Sequence, residues 1–331
     1  MLDMLSRSPN TLRSKLRIRL PLIAVLVPVI AAGAALATGP RAHAEGAEAD
    51  KAEANERCAI RLSIALVGKS AEGALLTNAD PQTAVDAMVA SPEFAERYAR
   101  FVNSQFNGGP STDAKDDPVY YLAKHVLTEK KPWTELFLGA YDVTATATAM
   151  EVKADPAGLG YFRSDAWRKR YAGNEPTGYM LVGAFRILTN TVGLTLTPSV
   201  GNPGDDRTAN GRQAEACKGC HFENWYALDK FARLLPKKKV TNDVVTFTAP
   251  TEGAQALLGK TIADDKALVT SRVESDAWKF HQCRMVFEFL YGRSENQCEA
   301  KVFDACVEAL DSKKTIQAAV SAVAKDPSFC K

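Results

Sequence analysis

Three prolines, each preceded by a capping residue, decide what this chain can fold into. In Asp80-Pro81, Ser91-Pro92 and Asp117-Pro118 a side-chain oxygen stands where a helix needs an N-cap. The proline follows where the first turn has no use for an amide N–H. Behind the second start, Phe94, Tyr98, Phe101 and Val102 recur at helical spacing up to about Asn107. Behind the third come Tyr121, Leu122 and Val126, and Pro132-Trp133 opens a short helix that Gly139 ends. The same reading predicts a buried helix over 56–68 and further helices over 178–190, 253–260, 271–291, 296–311 and 314–325. Residues 45–55, rich in Ala and Glu, are expected as a loose start. Residues 151–177, with glycines, prolines and charge, are expected as a linker or excursion. Val244–Thr248 is the one strand expected. The expected fold is therefore mainly α, helical bundles with at most a minor strand element.

Cys217-Lys218-Gly219-Cys220-His221 carries the chemistry. Cys-x-x-Cys-His is the attachment pattern of c-type haem. Two thiols spaced by one helical turn add across the two vinyl groups of a porphyrin. The adjoining imidazole then supplies an axial nitrogen to the iron. On a helix the three residues fall at i, i+3 and i+4, on one face. The expected haem helix runs from about Gln213 to Leu235, ahead of Pro236, with Trp225, Leu228 and Phe231 continuing an apolar stripe. A redox dithiol would want a βαβ pattern nearby, and a zinc site a second Cys/His pair at short spacing. Neither is visible. One haem c per chain is expected, with His221 as the proximal ligand. Met285 and Met180 are candidates for the distal position, with His281 and His125 as weaker ones.

The N-terminus points to export. Arg7, Arg13, Lys15, Arg17 and Arg19 precede an uncharged, mostly apolar run, Leu20–Ala37, and Ala42-His43-Ala44 fits the small-x-small cleavage rule. Residues 1–44 are thus expected as a signal peptide, and the mature chain as periplasmic or secreted in a Gram-negative bacterium, with no stable membrane span. Removing them takes away six basic residues and one acidic one and turns the formal net charge from +2 to −3. No nucleic-acid partner is expected from such a balance. Lys237-Lys238-Lys239 reads as a solvated loop, with docking of an acidic redox partner as the alternative.

Cys58, Cys283, Cys298, Cys306 and Cys330 remain beside the motif. An exported protein can bridge four of them. The pairing favoured by position in the chain is Cys283 with Cys298 and Cys306 with Cys330, and Cys58 can replace any partner. The domain expectation is an N-terminal helical domain over 45–150, the linker over 151–177, a haem-binding segment over 178–250, and a disulfide-bearing helical domain over 251–331.

Ser275-Asp276-Ala277-Trp278, Phe280-x-x-Cys283, Phe287-x-x-Leu290-Tyr291-Gly292-Arg293 and Asp326-Pro327-Ser328-Phe329 resemble the terminal module of a multi-module family of secreted, cytochrome-c-like proteins of unassigned role, common in planctomycetes and myxobacteria. Met88–Arg97 resembles its N-terminal helical module, and Lys131–Phe137 with Tyr141 its next segment. In that family a Cys-x-x-Cys-His lies between these blocks. It continues with an Asp-Pro-x-Gly-Phe-Ala-x-Glu-x-Phe-Asp run, for which Trp225–Phe231 stands here without the Asp-Pro. The resemblance implies haem binding and redox work outside the cytoplasm.

The function expected is electron transfer by a mono-haem carrier with an unidentified redox partner protein. The alternative is a haem enzyme, peroxidase-like, or a haem-based ligand sensor with an open sixth position. A third reading is a helical binding protein that haem merely braces. No nucleophile–base pair or paired-carboxylate constellation stands out.

Overall fold

The computed structural model describes residues 41–331, save 109, 110, 112, 198–203 and 258. Residues 1–40 of the expected signal peptide therefore lie outside the described residues. The first helix, α1, spans Arg41–Leu62 and continues as a π turn, Ser63–Val67, which Gly68 ends at φ +72°. It includes 45–55, expected to be loose. Ala and Glu dominate that stretch, and both are strong helix formers. α2 (Gly73–Leu76) and α3 (Val85–Val89) follow, and each expected start has its proline in the first turn, but only Ser91 accepts an amide of its helix, while Asp80 and Asp117 make no cap hydrogen bond. α4 spans Pro92–Phe106, with the Ser91 hydroxyl accepting the Phe94 N–H at 3.2 Å. α5 spans Pro118–Thr128, and a short α6 spans Glu135–Leu138.

The next segment departs from expectation. Tyr141–Ala145 (β1) pairs antiparallel with Met150–Ala154 (β2), and α7 (Asp165–Tyr171) follows under a Ser164 cap. Leu159, Tyr161, Phe162, Trp167 and Tyr171 are buried, so the stretch expected as a linker supplies part of the core. Its glycines serve close packing: a Cβ on Gly160 would fall 2.2 Å from the Leu136 carbonyl oxygen. α8 then spans Leu181–Val192.

The haem helix expected over 213–235 is not continuous. It is divided into α9 (Glu215–Lys218), a π turn (Gly219–Glu223) and α10 (Leu228–Ala232). Asn224 turns extended, with ψ 168°, and ends the first part. Beyond it Lys237–Thr241 (β3) and Val244–Thr248 (β4) form a hairpin. Asn242 and Asp243 between them both take positive φ, 49° and 61°, as a two-residue type I′ turn needs. The lysine run is thus a strand rather than a loop. Lys237 lies over the Tyr179 ring, and the Lys238 ammonium donates to the Gly173 carbonyl at 2.6 Å.

The helix expected over 253–260 is a second small hairpin, Gln255–Leu257 (β5) with Lys260–Ile262 (β6). Gly259, at φ +72°, takes a turn conformation that a helix interior excludes. Four helices complete the chain: α11 (Asp265–Val273), α12 (Asp276–Tyr291), α13 (Ala300–Lys313) and α14 (Ile316–Ala324). The fold is mainly α, with three two-stranded sheets among the described residues.

Aromatic side chains tie the early helices to the late ones. Tyr98 on α4 meets Phe289 on α12 at 4.9 Å between ring centroids and Trp133 at 5.8 Å. Phe137 meets Phe106, Tyr161 and Trp278 at about 6 Å. The Trp133 indole N–H donates to the Gln282 side-chain oxygen at 2.8 Å, so this buried polar group is satisfied. These contacts gather residues 46–331 into one compact unit, with no division at 150, 177 or 250.

Two disulfides form, and neither is the favoured pairing. Cys58 bonds Cys330, and Cys283 on α12 bonds Cys306 on α13, with Cα separations of 4.8 and 5.9 Å. Cys283 and Cys306 are each fully buried where the two helices pack. Cys298 sits in an exposed 3₁₀ turn before α13 and is left as a free thiol.

Candidate functional site

Cys217 lies in the short helix α9, and Cys220 and His221 lie in the π turn that follows. That turn is closed by the Asn224 N–H donating to the Gly219 carbonyl at 2.9 Å. Both thiols are free, Cys217 half-buried and Cys220 exposed. The Cys220 sulfur lies 3.5 Å from the Tyr226 hydroxyl, a contact that raises the phenol pKa.

The structure adds partners that spacing alone did not show. His221 Nδ1 lies 2.8 Å from Asp229 Oδ2. Eight residues along a straight α-helix would separate these two by about 12 Å of axial rise. The break at Asn224–Ala227 is what folds α10 back and brings Asp229 under the imidazole. Asp229 is 1 % exposed and is held from its other side by Arg212, whose Nε and Nη2 donate at 2.9 and 2.7 Å. This two-pronged guanidinium–carboxylate pairing fixes the plane of the carboxylate. Arg212 also donates to the Arg207 carbonyl and approaches Glu175 at 3.4 Å. Glu175 in turn accepts the backbone N–H groups of Thr177 and Tyr179.

Local sequence explains how Arg212 reaches this position. It lies in a 3₁₀ turn, Gly211–Gln213, and its N–H donates to the Thr208 carbonyl. A Cβ on Gly211 would fall 2.0 Å from the Asp206 carbonyl oxygen, so the turn closes only with glycine there. Burial alone would push the Asp229 carboxyl up. Hydrogen bonds from His221 and Arg212 outweigh it and hold the group below the usual carboxylate range. Burial likewise opposes the charge on Arg212, and Asp229 and Glu175 override it.

The motif's residues fit a covalently held haem on three observations. The two thiols are unbridged and accessible. The imidazole has Nδ1 engaged in the protein, which leaves Nε2 for a metal. Arg233, whose guanidinium lies 5.7 Å from the Phe222 ring next to His221, has a buried Nε with no hydrogen-bond partner, a donor suited to an anionic substituent. Among the described residues no cluster of three or more His, Cys, Asp or Glu side chains is gathered around a point where a metal ion could sit. A thioether-linked haem needs none, because its thiols bond carbon and the polypeptide supplies the iron with a single imidazole at this end.

The distal candidates lie elsewhere in the core. Met180 packs with Phe162, Trp167, Ile187 and Leu235 at the start of α8. Met285 is buried on α12, two residues beyond Cys283. The His281 ring stacks on Phe106 at 6.4 Å. His125 is half-buried against the edge of Tyr141. Asp229, Arg212 and Glu175 were missed by sequence reasoning. The available signal was an acidic residue set among the apolar positions Leu228 and Phe231. No protein-family model, no curated protein and no solved structure matches this chain.

Proposed function

We propose that this chain is an exported mono-haem c-type cytochrome-like protein that transfers electrons. Cys217 and Cys220 would hold haem c through thioethers, and His221 would be its proximal ligand. The observation that carries this reading is the His221–Asp229 pair beside two free thiols. It presents an unencumbered Nε2 at the one place where the chain spells the attachment pattern. When bound, the haem would supply a one-electron ferric/ferrous couple. Arg212, Asp229 and Glu175 orient the imidazole, and Cys217 and Cys220 anchor the macrocycle. Two disulfides suit an oxidising compartment, as export through the N-terminal segment requires. No helix among the described residues is long and apolar enough to cross a membrane. A redox partner protein would meet the exposed side of the motif.

The test is production in a host with a c-type maturation system, followed by an alkaline pyridine haemochrome spectrum and an intact mass. Wild type is expected to carry one haem per chain, and Cys217→Ala to lose the two-thioether spectrum. A colourless product of bare polypeptide mass overturns the reading. The alternative, a haem enzyme or ligand sensor with an open sixth position, is favoured by the same carboxylate-paired imidazole, since a more electron-rich axial ligand suits ligand chemistry on the opposite face. Cyanide binding to the ferric protein separates the two. An electron carrier resists it, and an open site takes it up at once.

A further inference from the structure

Behind His221 the fold has built more than a hydrogen bond. Asp229, Arg212 and Glu175 are all buried, with side chains 1, 9 and 5 % exposed. Two carboxylates face one guanidinium, so the cluster carries one surplus negative charge when His221 is neutral. Charge in such a place is little screened by salt or water. Asp229 Oδ2, which accepts from Arg212 Nε, is also the oxygen 2.8 Å from His221 Nδ1. The surplus charge therefore bears on the imidazole. The fold gives up helix continuity at Asn224 and commits Gly211 to a closed turn, and both concessions serve this one arrangement.

We propose that Asp229, clamped by Arg212, which Glu175 backs from its other side, is a positioning residue that fixes His221 with Nδ1–H inward and Nε2 outward, and that it holds the bound haem at low potential. The inference rests on the haem reading above. A histidine that donates to a carboxylate is a stronger electron donor to its metal. Stronger donation and a nearby buried negative charge both favour the ferric over the ferrous state. The lever is the hydrogen bonding of the axial ligand rather than its identity.

The experiment is an equilibrium redox titration of haem-bearing wild type, Asp229→Asn and Asp229→Glu, each checked for attached haem by pyridine haemochrome. Asp229→Asn keeps the shape and removes the charge. It is expected to raise the ferrous-to-ferric ratio at a given ambient potential at least tenfold, about 59 mV for a one-electron couple. Asp229→Glu is expected to restore most of the low potential. A haem-bearing Asp229→Asn protein with the wild-type potential overturns the proposal while the haem reading stands. Wild type without haem brings down both. Should Asp229→Asn fail to accumulate, the reduced wild type decides by nitrogen-15 NMR. A His221 Nδ1 proton in slow exchange with solvent supports the proposal, and a ring that lacks that proton overturns it.

Discussion

Asp229 is a buried and His281 a half-buried titratable side chain, and their surroundings drive them in opposite directions. Asp229 has a guanidinium and an imidazole against it and stays charged. His281 is half-buried against Phe106 and Gly193, with no hydrogen-bond partner at its buried Nε2. Burial, helped by the positive charge of Arg284, pushes its pKa down to about 4 from an ordinary 6.5. Between these values the unfolded chain binds a proton that the folded one refuses, so stability rises with pH across this window. The contribution is complete above about 6.5 and drains away towards pH 4, a loss of about 2 to 3 kcal/mol by pH 4.5. Urea titrations at pH 7.5 and 4.5 are expected to show this loss in wild type, beyond any loss in His281→Leu. Equal losses in the two proteins would refute the account. At this scale the sequence was only partly readable. Cys217, Cys220 and His221 identify themselves because their chemistry is set by spacing of a few residues. Asp229 and Arg212 meet His221 only after the chain has turned back on itself, and no local pattern announces a pairing across such a turn.

Among the elements, the helix announced by Ser91 came through with its cap, a local bargain between one side chain and the next turn, whereas Asp80 and Asp117 accept no amide and their starts rest on the proline. Ser91, Ser164 and Ser275 all accept the amide three residues on. The break in the expected haem helix was hidden because Trp225, Leu228 and Phe231 keep helical spacing across it. In fact Trp225 is 43 % exposed and Phe231 fully buried, so they do not share a face. The hairpin β1–β2 was overlooked although Val143 and Val152 face each other across it in an alternating pattern. Disulfide partners depend on which helices pack, and here α12 lies against α13. Peptide mapping of unreduced haem-bearing protein is expected to find Cys58–Cys330 and Cys283–Cys306, with Cys298 alone taking up alkylating reagent, and haem-free protein to take it up at Cys217 and Cys220 as well. The double variant Cys58→Ser/Cys330→Ser is expected to lose up to about 5 kcal/mol of stability in chain-entropy accounting. An unchanged urea midpoint would show that the long bridge contributes nothing.

For the molecule as a whole, composition and caps conveyed the mainly α character, but residues 46–331 gather into one compact unit. The reason is the aromatic core, which takes Tyr98, Trp133, Tyr161, Trp278 and Phe289 from segments far apart in sequence. The glycines and prolines of 151–177 looked like a spacer, yet they let Tyr161 and Trp167 nest against Phe137 and Phe162. The Cys58–Cys330 bridge spans 272 positions and closes nearly the whole folded body into a ring. A load applied by optical tweezers between residue 50 and Lys331 would accordingly run through one covalent staple and bypass every helix inside the loop. The oxidised molecule should lengthen only by its short N-terminal leader, and adding a reductant should release the remaining contour in a second, much longer rip.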